Sequence, residues 1–67
     1  SIPLARTDAE RRQVNDPRLS LEERYGTHAG YVRAVADAAR NLRSERLLLD
    51  RDVERYIDEA ESSDVLR

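Results

Sequence analysis

Between His28 and Arg46 the apolar residues Tyr31, Val32, Val35, Ala38, Ala39 and Leu42 recur at spacings of three and four. That spacing gathers them on one stripe of an α-helix, whereas a strand would scatter them over both faces. A helix with one apolar stripe folds by laying another apolar surface on it. The next such surface is Val53, Tyr56, Ile57 and Ala60, at i, i+3, i+4 and i+7. The two stripes predict a helical hairpin, with a long helix over about 28–46 and a last helix over about 51–62. Leu47, Leu48 and Leu49 form its apolar connector. Few residues are β-branched and no stretch alternates apolar with polar, so the predicted class is all-α.

Helix starts are marked throughout. Thr7 with Glu10 and Ser20 with Glu23 are both capping-box pairs, in which each side chain covers a free backbone N–H of the first turn. They predict a short helix over about 8–14 and a single turn ending at Tyr25 and Gly26. Asn15, Asp16 and Pro17 stop the first, because proline biases the residue before it away from helix. Thr27 is placed to cap the long helix, and Asp50 to cap the last one. The chain therefore divides into an irregular arm, 1–26, with two short capped helices, and the hairpin, 27–67. The arm has little to bury against itself, so Ile2, Leu4, Leu19, Leu21 and Tyr25 read as anchors for a surface elsewhere. On the hairpin, Tyr31, Val35, Leu42, Val53 and Ile57 are the matching interface candidates.

Size explains why a partner is expected. A chain of 67 residues buries only about 60% of the surface its unfolded form exposes. There is no cysteine to staple it. No apolar run reaches the roughly 18 residues a membrane span needs. Methionine is absent even from position 1, which points to a processed chain, a cleavage product or a cut-out domain, the alternative being ordinary removal of an initiator methionine before Ser1. All 12 basic residues are arginine, against 14 acids, for a net charge of −2. With acids interleaved and three tyrosines as the only aromatics, this profile argues against a phosphate-binding footprint and so against nucleic acid. Residues 28–49 carry net +2 and residues 50–67 net −4. A hairpin brings those opposite signs together, and Arg33 can pair with Asp37 one turn on.

Groups able to do chemistry are few. Ser20 reads as a helix cap, and Ser1 would be a nucleophile only if autocleavage exposed its amine. His28, the one histidine, is a candidate general base only if another chain supplies its partners. Otherwise it is a boundary histidine at a helix start. The acids Asp50, Asp52, Glu54, Asp58 and Glu61 mimic calcium-loop spacing, but Arg55 stands where the loop turn needs glycine. A solvated acidic helix is the simpler reading. Gly26 and Gly30 are read as helix closure and close packing. Arg40, Arg43 and Arg46 are read as cations matched to a helix C-terminus. No cofactor or metal is implied, and no targeting segment is visible.

Asp16-Pro17-Arg18-Leu19-Ser20-Leu21-Glu22-Glu23-Arg24-Tyr25-Gly26, preceded by Ile2-Pro3-Leu4-Ala5-Arg6-Thr7 and Ala9-Glu10-Arg11, resembles the closing stretch of bacterial α/β-hydrolase-domain proteins. The long helix and the Leu47-Leu48-Leu49, Asp52-Val53 and Glu59-Ala60 pieces extend the likeness over nearly the whole chain. The resemblance implies the C-terminal part of a larger esterase-like hydrolase whose catalytic serine, acid and cleft lie upstream. It carries no catalytic residue onto this chain. The expected function is a non-catalytic helical chain packed on a larger catalytic polypeptide of the same precursor. The alternative is an independent interaction module that pairs with itself.

Overall fold

A computed structural model describes residues 2–67; Ser1, and with it the N-terminal amine, lies outside the described residues. Four helices follow one another: α1 Asp8–Gln13, α2 Leu21–Tyr25, α3 His28–Ser44 and α4 Asp50–Ser62. No strand occurs among the described residues, and the all-α expectation holds.

The short helices exist because their ends are satisfied. In α2 the Ser20 Oγ accepts the Glu23 N–H at 3.2 Å, and a Glu23 carboxylate oxygen accepts the Ser20 N–H at 3.0 Å. The arm supplies the rest: Leu21 N–H donates to the Ala5 carbonyl and Glu22 N–H to the Arg6 carbonyl, each at 2.9 Å. The four N–H groups that a helix start leaves without partners are all used here. This is why a five-residue helix stands, and why Ser20 is 0% exposed without penalty. At α1 only half of the expected box forms. Thr7 Oγ1 accepts the Glu10 N–H at 3.2 Å, while Glu10 remains on the exposed surface.

Helix ends differ slightly from expectation. Helix α1 closes through Asn15 at φ 54°, with Asp16 N–H donating to the Arg11 carbonyl at 2.9 Å. Asparagine tolerates that left-handed conformation. Helix α3 stops at Ser44 rather than Arg46, because Arg46 turns left-handed at φ 64°. Arg46 N–H then reaches the Arg43 carbonyl at 2.9 Å and Leu47 N–H the Leu42 carbonyl at 2.8 Å. That pairing closes a helix with the carbonyls of its last turn satisfied. The cap of α4 falls on Leu49, one residue before the expected Asp50. Leucine has no acceptor, so the cap is one-sided: Leu49 N–H donates to Asp52 Oδ2 at 3.1 Å.

Helices α3 and α4 form the hairpin, and α2 rests on the start of α3. Ala36, Ala39, Val53 and Ala60 make up the buried apolar core, so small side chains hold the two helices close. The stripe of α3 is rotated from the expected one. Ala36 is inside, whereas Ala38 and Leu42 lie on the exposed flank, because α4 docks on the Ala36–Ala39 side. The expected Arg33–Asp37 pair is absent among the described residues, and both side chains are exposed. The charge division yields one cross-hairpin ion pair among these residues, Arg43 with Asp50 at 3.7 Å, both exposed. Such a pair contributes on the order of 0–1 kcal/mol.

Candidate interaction surface

The run from Asp16 to Tyr25 is the most polar-bonded part of the molecule. Glu23 is its hub. Arg11 donates to both its oxygens, Nε at 2.6 Å and Nη2 at 3.1 Å, in a bidentate clamp that ties α1 to α2. The Arg11 clamp, with the Ser20 N–H behind it, holds the Glu23 carboxyl down at about 2. Arg18 does the same to Asp16. Its Nη2 donates to Oδ2 at 2.7 Å and its backbone N–H to Oδ1 at 2.9 Å, and the Asp16 carboxyl falls to about 2. The guanidinium of Arg18 then reaches back to the Ile2 carbonyl at 2.9 Å, fastening the start of the arm. Arg24 Nε donates to the Leu19 carbonyl at 2.9 Å. Every charged group named here is spent within the arm: Arg11 and Glu23 tie α1 to α2, Arg18 and Asp16 fasten the arm's start, and Arg24 holds the Leu19 carbonyl. The two carboxylates are saturated with donors and kept ionised, the reverse of what proton transfer near neutral pH asks of a carboxyl group.

The nucleophile and base candidates are spent in the same way. Ser20 is closed off inside its capping box. The His28 ring lies between two carbonyls of the chain's other end, Nδ1 at 2.7 Å from Val65 O and Nε2 at 3.3 Å from Glu61 O. Neither a carboxylate nor a hydroxyl is among its partners, so the ring acts as a staple between the start of α3 and the residues after α4. Arg6 Nη2 reinforces the staple by donating to the Arg67 carbonyl at 3.0 Å. The acids of α4 gather no metal-binding group of three among the described residues. Helix α4 runs unbroken through the calcium-like spacing, and Arg55 ties up Asp52 at 3.7 Å and Glu59 at 3.3 Å. No helix among the described residues is long and apolar enough to cross a membrane.

What stays open is apolar. Of the interface candidates, Val53 is 2% exposed and belongs to the hairpin core, so its surface is already consumed. Leu4, Leu21, Tyr25, Tyr31, Val35 and Ile57 are half-buried. Tyr25 and Tyr31 meet edge to face, ring centres 5.2 Å apart, across the α2–α3 corner. Ile2, Leu19 and Leu42 remain exposed. They belong to separate regions. Ile2 lines a hollow with Val14, Pro17, Asp16 and Arg18 at the arm end. Leu42 and Val35 line a groove with Ala38, Ala39, Leu48 and Tyr56 on the flank of the hairpin.

The sequence reading missed Val14, Leu47 and Leu49, which are 72%, 67% and 57% exposed. Their signal was visible only in part. Val14 follows the last helical residue of α1, where an apolar side chain has no stripe to join. The three leucines form the expected apolar connector, but a turn this short can press only Leu48 toward the hairpin. Tyr56 belongs to the predicted α4 stripe, yet it stands at the groove with the Arg55 guanidinium 4.8 Å from its ring centre.

Comparison with known proteins gives one family. Its sequence model, described as alpha/beta hydrolase domain, matches residues 8–58, which is 51 of the 67 residues. No curated protein and no solved structure matches the chain.

Proposed function

Because the chain belongs to the alpha/beta hydrolase domain family, we propose that it is a non-catalytic, C-terminal helical chain of a cleaved, esterase-type hydrolase. In this reading it packs on the larger catalytic polypeptide of the same precursor and completes its structure. The observation that carries the reading is the mismatch between the polar and apolar groups. Asp16, Arg18, Glu23 and Arg24 are satisfied within the chain, while large apolar side chains at the arm end and on the flank of the hairpin are not covered. Two open apolar regions on so small a chain suit a piece that is finished by another surface. The absence of a nucleophile, base and acid set among the described residues supports a supporting role over a chemical one.

The test is the composition of the material as purified without denaturant. Intact mass and sedimentation are expected to find a second, larger polypeptide in stoichiometric amount. Leu42→Glu with Leu47→Glu is expected to abolish that association while leaving the melting temperature of the isolated chain within a few degrees. A cooperative, folded monomer with no companion refutes the proposal. A stable homodimer refutes it too and favours an independent interaction or dimerisation module.

A further inference from the structure

We draw no further inference here: the strongest candidate, the apolar groove lined by Val35, Ala38, Leu42, Leu48 and Tyr56 on the flank of the α3–α4 hairpin, is an unpartnered face, and beyond the packing already proposed nothing in the structure shows what covers it.

Discussion

Replacing Gly30 by alanine sets two effects of opposite sign against each other. Gly30 is the third residue of α3, and alanine is favoured over glycine inside a helix by about 1 kcal/mol. On propensity alone, Gly30→Ala would stabilise the chain. The tertiary structure reverses that. A Cβ at position 30 would stand 2.0 Å from the Tyr25 carbonyl oxygen, where real contacts do not fall below 3.0 Å. The start of α3 would have to retreat from α2 by at least the difference, 1.0 Å.

The carbonyl itself has little freedom to yield. It accepts the Thr27 N–H at 2.9 Å, closing a three-residue turn through Gly26 at φ 74°, ψ −66°. That turn is rare and strained, and glycine is the residue that adopts it most readily. Overpacking of this kind costs about 1–3 kcal/mol, and a backbone obstacle places it at the upper end. The net expectation is a loss of about 2 kcal/mol, after the propensity gain is subtracted. For a chain of this size that lowers the melting temperature by roughly 8–16 °C. Far-UV circular dichroism melts measure the loss, and the near-UV tyrosine signal reports the Tyr25–Tyr31 contact, which is expected to weaken. An unchanged or raised melting temperature for Gly30→Ala would refute the argument that the α2–α3 corner is built on that close approach.

Three further outcomes follow from the same geometry. Arg46→Gly removes a Cβ from a left-handed residue at φ 64°, so it is expected to raise stability by up to about 1 kcal/mol, read as the denaturation midpoint in urea. Ser20→Ala removes a buried cap and leaves the Glu23 N–H without a partner. A loss of about 1–2 kcal/mol is expected in the same assay, and a loss within error would contradict the role given to the box. Acid should destabilise the chain in a defined direction. The Asp16 and Glu23 carboxyls fall from 3.8 and 4.5 to about 2, so their contribution is complete above those ordinary values. It is lost as the pH drops through them toward 2. Melting temperatures between pH 6 and pH 2.5 should decline below about 4.5, and Glu23→Gln should make the decline shallower.

Much of this fold can be read locally. Thr7, Ser20 and Thr27 each cap a helix where the sequence places them, because capping depends on a hydroxyl and the next three residues. The two spacings of three and four give α3 and α4 and make them partners. The errors sit where a local preference was outvoted. Arg46 leaves the helix because the chain must reverse within five residues to bring Asp50 back alongside α3. Ala36 replaces Ala38 in the core because the stripe is wide enough for α4 to choose its flank. Sequence spacing fixes a face only to within about one residue, since each step around a helix is about 100°.

The exposed apolar surface was half legible. An arm with little to bury against itself implied uncovered apolar side chains, and Ile2, Leu19 and Leu42 are among those exposed. Val53 was indistinguishable from them in sequence, because a stripe does not say which of its members the partner helix will cover. The Asp16–Tyr25 run shows the same division of labour. Its residue types carried the family likeness, and the sequence by itself set the helix class, the caps and the breaks, all of which are decided within a few residues along the chain. Only the tertiary structure decided that Arg11 clamps Glu23 twelve residues away, that His28 staples carbonyls more than thirty residues on, and that Gly30 has no room for a methyl group. Those depend on where separate helices come to rest against one another, and no local spacing records that distance.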